Sequence, residues 1–234
     1  MKKNRAFGLL GIAGVGVCVI LLVVAIMLFE DGAYSPLGCF VSELGLYTAG
    51  YFTMSSALFY NIGTILAGAA IAVFMVYYGI SKDTWTDAAF SFFGMLTGVL
   101  LIAQGVYTLN YAHYHIYGLI ALFFSVFAMC AIYIVTRFVG SGIQNASLAT
   151  LIVAFFAGCT SIAFAIFTLT GGVTQVFAED AAEVGRLAVM PFAIIEWAAL
   201  LLMFAFIVLL AVRMLPKTKR AAQSNDFGLR DIAF

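Results

Sequence analysis

The polar side chains that could do chemistry lie inside long apolar stretches of the sequence: Asn61, Gln104 and Glu196. If such a stretch crosses a membrane, a charged side chain in it costs roughly 2.5–3.5 kcal/mol on insertion scales, so it is expected to serve a function. In a helix that starts near Arg186, Glu196 lies about 15 Å along the axis, near the membrane midplane. Asn61 and Gln104 each lie roughly 8 Å inside the predicted ends of their helices. We therefore predict a polar pocket in the outer half of the membrane or, as the alternative, separate local hydrogen bonds for each group.

Two histidines, His113 and His115, stand just before or within another apolar stretch. In a turn they could bind one metal ion, with Glu43 or Glu183 as a further ligand. In a helix their rings would point about 200° apart, and hydrogen bonds to lipid headgroups or to Glu183 are the alternative. The sequence contains no glycine-rich phosphate loop, nucleophile elbow or zinc-protease helix pattern, and no cofactor is expected.

Two segments between the apolar stretches are longer than a turn requires. The first contains Ser42 and Glu43, and it is predicted to form a short amphipathic helix over residues 39–47 on the membrane surface. The second ends with Glu183 and Arg186, which share one helix face if the next helix begins early. Both segments are predicted to cover the polar pocket, with Arg186 pairing with a phosphate or with Glu183.

The elements that must position these residues follow from the composition. Of the 234 residues 65% are hydrophobic and only 9% are charged, which excludes a soluble enzyme and a disordered chain. The formal net charge of zero gives no attraction for nucleic acid. An all-α bundle of six transmembrane helices is predicted in one membrane domain over residues 1–214, followed by a tail over 215–234. Each helix is long enough to cross roughly 30 Å of hydrocarbon, and the six lie at about 7–29, 56–80, 88–109, 115–138, 147–170 and 187–213.

Two local signals predict how these helices pack. Gly94 and Gly98 form a small-xxx-small pattern, which indicates a close contact within the bundle rather than a dimerisation face. Pro191 removes one backbone donor from the sixth stretch, so a kink is predicted a turn before Glu196.

The basic residues predict the orientation. With a cytoplasmic amino terminus, ten of the eleven Lys and Arg residues fall on the cytoplasmic side and only Arg186 falls outside. Cytoplasmic loops collect Lys and Arg, so a multi-pass protein of the cell membrane with both termini in the cytoplasm is predicted.

Several short motifs resemble a large family of six-helix membrane proteins, the Frag/DRAM/Sfk-like proteins. The similar elements are Ser42-Glu43-Leu44-Gly45 after the first helix, Asn61 early in the second, His115 at the start of the fourth, and Glu183 to Arg186 before a Trp-bearing last helix. The short tail and the lack of a soluble domain resemble the prokaryotic branch, whose function is unknown. In the eukaryotic branch the resemblance implies work on lipids, and it implies that Ser42, Glu43, Asn61 and His115 are site residues.

The resulting hypothesis is an integral membrane protein whose pocket binds a lipid headgroup. Glu43, Glu183 and Glu196 would supply negative charge or protons, while Asn61 and His115 would orient the ligand. Three alternatives stay open: a membrane-embedded lipid hydrolase or transferase that uses His115, a proton-coupled transporter that uses Glu196, and an accessory subunit of a membrane complex. Membrane lipids are the expected partners, and a second copy of the chain or a membrane complex is left open.

Overall fold

A computed structural model describes residues 2–29, 34–46, 53–82, 84–139, 147–172 and 189–215. All six long helices are apolar enough to cross a membrane, which indicates a membrane protein and confirms the predicted six-helix, all-α architecture. Within the described ranges no β-strand is present. The observed helix ends lie within five residues of the predicted ones, and the helices are α1 Lys2–Met27, α2 Thr53–Ile80, α3 Trp85–Val106, α4 Ala112–Val139, α5 Leu148–Leu169 and α6 Pro191–Arg213.

The six helices form a closed ring in chain order. Each helix packs against its neighbours in sequence, and α6 packs against α1 to close the ring. The centre is filled by fully buried side chains such as Phe74, Val126 and Met203. The outward faces carry exposed apolar residues, for example Ile20 and Phe155. Helices that are apolar both inside and outside the bundle are what a lipid environment requires.

A close helix contact joins α2 to α3. A Cβ atom added at Gly98 would lie 2.6 Å from the Gly68 carbonyl oxygen and 2.6 Å from the Ala72 nitrogen, and one added at Gly94 would overlap Met75. The two backbones therefore touch, because neither glycine has a side chain. This geometry confirms that Gly94 and Gly98 serve an intramolecular contact.

The two ends of the ring differ in character. One end, called the basic end below, is where α1 begins and α6 ends. Near it lie Asn4, Lys82, Arg137 and Arg213. At the capped end, where α1 ends and α6 begins, residues 34–46 fold onto the helices and are called the cap segment below.

Two sequence predictions about the capped end are wrong. Pro191 is the first residue of α6 and causes no kink, since the amide hydrogen it lacks has no helical partner at that position. The described part of the segment predicted over 39–47, residues 39–46, does not lie as an amphipathic helix on the surface. It forms a 3₁₀-helix, Val41–Gly45, in which every residue is buried.

Glu183 and Arg186 lie outside the described residues, as does the tail after Leu215. The predicted cover formed by Glu183 and Arg186 and the tail over 215–234 therefore stay predictions.

Candidate functional site at the capped end

The cap segment is held in shape by its own polar groups. The Glu43 carboxylate accepts a hydrogen bond from the Phe40 backbone N–H at 2.8 Å, which satisfies a donor at the start of the 3₁₀-helix. The Tyr34 hydroxyl donates to the Phe40 carbonyl oxygen at 2.8 Å. Burial, followed by the negative charge of the nearby Glu196, raises the pKa of Tyr34, so this hydroxyl stays protonated and able to donate.

The first two turns of α6 bind the cap segment to the bundle. The Met190 N–H donates to the Leu37 carbonyl oxygen at 2.8 Å, and the Trp197 indole N–H donates to the Cys39 carbonyl oxygen at 3.2 Å. Between these two contacts, the Glu196 carboxylate accepts the Val41 backbone N–H at 2.8 Å. Met190 and the start of α6 therefore supply a donor to Leu37, a second donor to Cys39 and an acceptor to Val41.

Glu196 acts in this structure as an anchor for the cap segment. Its side chain is 1% exposed, and Ser42 also interacts with its carboxyl group through backbone and side chain. Because α6 begins at Pro191, Glu196 lies only about 8 Å into the helix rather than the predicted 15 Å. That depth places it level with the buried cap segment, so its partner is the backbone amide of Val41.

Asn61 lies on α2 directly below the cap segment. Its Oδ1 atom lies 2.9 Å from where a Cβ of Gly45 would be, so only glycine fits there without displacing the amide. This Oδ1 is buried and has no hydrogen-bond partner in the described part of the chain. A buried acceptor left unpaired costs about 1–3 kcal/mol, so it is a natural place for a ligand that donates a hydrogen bond.

A groove of about 510 Å³ opens beside Asn61. Its apolar walls include Leu58, Ile62 and Val106, each between 42% and 52% exposed on the outside of the ring. Its polar lining comes from the turn between α3 and α4, namely Thr108, Asn110 and Tyr111. A 3₁₀-helix in that turn, Leu109–Tyr111, also contacts the 3₁₀-helix of the cap segment, so groove and cap are continuous.

His115 and Gln104 lie next to each other at the same end of the ring. The His115 Nδ1 atom is 2.7 Å from the Tyr107 carbonyl oxygen. A carbonyl oxygen can only accept, so Nδ1 carries the proton and Nε2 keeps a lone pair. The Gln104 side-chain amide donates to the His115 carbonyl oxygen at 3.5 Å, a long contact. Nε2 of His115 and Oε1 of Gln104 are buried without partners among the described residues.

The two histidines are not brought together. Both belong to α4, where His115 is buried and His113 is exposed, with its ring 4.7 Å from that of Tyr117. Over the described ranges, no three His, Cys, Asp or Glu side chains are grouped so that they could hold a metal ion. The metal hypothesis therefore gains no third ligand from this part of the chain.

The structure thus sorts the predicted site residues into two sets. Ser42, Glu43 and Glu196 meet at the cap segment, and Asn61 faces the same segment through Gly45. His115 pairs with the α3–α4 turn instead. Sequence reasoning missed the groove residues Thr108, Asn110 and Tyr111 and the anchors Tyr34 and Trp197, although a cluster of polar and aromatic residues between two apolar stretches is typical of a membrane interface.

Comparison of the chain with family models, with curated proteins and with solved structures gives no match, so the function must be argued from this geometry alone.

Proposed function

We propose that this chain is a multi-pass protein of the cell membrane that binds a lipid in the groove beside Asn61, with the headgroup at the capped end. The observation that carries the proposal is a buried, unpartnered acceptor, Asn61 Oδ1, on a residue that lines a groove with apolar, outward-facing walls. Such a groove offers an acyl chain the walls Leu58, Ile62 and Val106, and offers a headgroup the polar turn at Thr108.

The chemistry of the groove selects the kind of headgroup. No charged side chain is among the described residues that line it, so it provides no counter-ion for a strongly anionic group. The unpaired oxygen atom of Asn61 is a hydrogen-bond acceptor. It therefore calls for a ligand that donates a hydrogen bond, such as an ammonium or a hydroxyl group. Phosphatidylethanolamine meets this requirement, whereas phosphatidylcholine, whose nitrogen carries only methyl groups, does not.

In this proposal the acids position the site and do not contact the lipid. Glu43 and Glu196 hold the cap segment, and the cap segment places Gly45 against Asn61. Glu183 and Arg186 keep the role that the sequence assigns them, as a cover whose arginine pairs with the lipid phosphate.

The enzyme and transporter alternatives receive less support from the same contacts. His115, the base of the hydrolase hypothesis, is 1% exposed and is not among the residues that line the groove. Glu196, the proton carrier of the transporter hypothesis, is engaged by the Val41 amide. A mobile proton site needs a group that can exchange its partners, and this carboxylate instead joins two parts of the fold.

Asn61→Leu tests the lipid proposal directly. The detergent-purified full chain, titrated with short-chain lipids and followed by native mass spectrometry, should bind phosphatidylethanolamine roughly tenfold more tightly than phosphatidylcholine, since one hydrogen bond to a charged donor is at stake. In Asn61→Leu this preference should disappear. Asn4→Leu makes the same substitution at the basic end, and this variant should keep the preference for phosphatidylethanolamine.

Gly45→Ala provides an independent check, because it leaves the chemistry of Asn61 in place. The new methyl group would press on Asn61 Oδ1 and on the Tyr60 ring, so the preference should weaken. Equal affinity of the wild type for the two lipids, or an unchanged preference in Asn61→Leu, would rule out the proposed site.

A topology measurement tests the proposed orientation. Alkaline phosphatase is active only outside the cytoplasm, so a fusion after Phe234 should be inactive and a fusion after Leu46 should be active. A green fluorescent protein at the same two positions should give the opposite pattern. Phosphatase activity in the Phe234 fusion would show that the orientation argued from the basic residues is inverted.

A further inference from the structure

The basic end of the ring contains a second pocket, of about 320 Å³, that the proposed function does not use. Three cationic side chains line it, each from near the end of a different helix: Lys82 after α2, Arg137 in α4 and Arg213 in α6. Its other lining residues are Asn4, Tyr78, Ser81, Leu210 and Met214, so no carboxylate is among the described residues that line it.

Tyr133 fixes the two guanidinium groups. This residue is 2% exposed, and its hydroxyl accepts a hydrogen bond from Arg213 Nη1 at 2.8 Å. The guanidinium carbon of Arg137 lies 5.2 Å from the centre of the same ring, a cation–π contact. Arginine keeps its charge in proteins, so one buried tyrosine holds two permanent cations, one at its ring and one at its hydroxyl. Planar donors fixed in this way suit an anion with several oxygen atoms.

Among the described residues, none that lines this pocket is acidic. Lys82 lies 5.6 Å above the ring of Tyr78, and Nε of Arg137 is buried without a hydrogen-bond partner among the described residues. Asp87 acts electrostatically on Tyr78, and its carboxylate accepts a hydrogen bond from Thr84 at 2.6 Å at the start of α3, outside the pocket lining. The unpartnered Nε is a donor, which an anion would satisfy.

Helix dipoles explain only part of this arrangement. A cation is stabilised at a helix carboxyl end, and this accounts for one basic residue on each of the three helices. The helix dipole does not require the three basic residues to line one pocket. It also does not explain why Nε of Arg137 is buried and unpaired among the described residues. Those two features call for a ligand.

We propose that this pocket binds a phosphate-bearing anion, supplied by the headgroup of an anionic membrane lipid. The most exposed apolar side chains of the basic end are Ile80, Trp85 and Val139, at 77% to 83%, and tryptophan is typical of the membrane interface. A pocket between transmembrane helices at this level is open to lipid headgroups, and basic pockets of this kind bind acidic ones. The volume is sufficient for a phosphodiester with a small polar substituent.

Titration of the detergent-purified full chain with short-chain phosphatidylglycerol tests the proposal. The wild type should bind it roughly tenfold or more tightly than phosphatidylcholine, and Arg137→Gln should remove most of that difference. Arg137→Lys keeps the charge but not the planar donors, so it should lose less. Arg5→Gln is the matched control, because Arg5 is an exposed cation of α1 at the same end that does not line the pocket. It should change the affinity less than about twofold.

Lys82→Gln keeps the proposal testable if Arg137→Gln does not fold, since Lys82 is exposed and its replacement leaves the packing intact. It should weaken phosphatidylglycerol binding severalfold. Competition by millimolar glycerol phosphate would support the phosphate site but overturn the lipid as its source, and lack of competition would support the lipid. Equal affinity for the two lipids, or equal losses in Arg137→Gln and Arg5→Gln, would overturn the site.

Discussion

Glu196→Ala is expected to detach the cap segment from α6 and to lower the free energy of unfolding by about 3 kcal/mol. The Val41 N–H, which now donates to the carboxylate at 2.8 Å, would be buried without an acceptor. The Glu43 carboxylate accepts the Phe40 N–H instead. Glu196→Gln retains a carbonyl oxygen at the same place, so it should lower the free energy of unfolding by less than half as much as Glu196→Ala.

Trp197 reports on this detachment, because its indole N–H donates to Cys39 of the cap segment and its side chain is 9% exposed. The second tryptophan, Trp85, is 81% exposed and can be replaced by phenylalanine in all samples. In that background, Glu196→Ala should shift the emission of Trp197 to the red, whereas Glu196→Gln should not. Equal stability and equal emission in the two variants would show that Glu196 does not hold the segment.

Gly98→Ala is expected to separate α2 from α3. The added methyl group would lie 2.6 Å from two backbone atoms of α2, the Gly68 oxygen and the Ala72 nitrogen. Backbone atoms cannot turn aside as a flexible side chain can, so one helix must move. Overpacking of this kind costs about 1–3 kcal/mol and sometimes more. Denaturant or thermal unfolding in one detergent would measure the loss.

Gly16→Ala is the matched control for this prediction. A Cβ atom at Gly16, inside α1, would have no other atom within 4 Å. Alanine is the better helix former by about 1 kcal/mol, so this variant should be as stable as the wild type or slightly more stable. Loss of stability in both variants would mean that the helices tolerate no change at glycine in general. No loss in Gly98→Ala would contradict the close crossing of α2 and α3.

The number and extent of the helices could be predicted from the sequence because they depend on local properties. In a membrane, a long apolar segment pairs all its backbone hydrogen-bonding groups by forming a helix, and this does not depend on the rest of the chain. The contact at Gly94 and Gly98 was also predictable, since small residues four apart present a smooth face to a neighbouring helix. The start of α6 was not, because an apolar run continues past Pro191 in both directions and only the helix geometry shows that proline is the first residue.

The candidate site depended on the tertiary structure for a different reason. The sequence shows which apolar stretch contains a polar residue, but it does not show the direction in which that residue points around the ring. Glu196 and its partner Val41 are 155 residues apart, and nothing in either stretch of sequence indicates that they meet. Asn61 was predicted roughly 8 Å inside its helix and lies about 12 Å from its start at Thr53. The groove beside it also needs Thr108 and Tyr111 from the turn after α3.

The basic residues show the same division most clearly. Their one-sided distribution along the chain predicted an orientation, because the sum of charges on each side of a membrane needs no knowledge of packing. That Lys82, Arg137 and Arg213 line one pocket was decided by the ring closure, which brings the end of α6 to the end of α4 around Tyr133. Hydrophobic length and charge sidedness are properties of single segments, whereas a binding site is a property of how segments face each other.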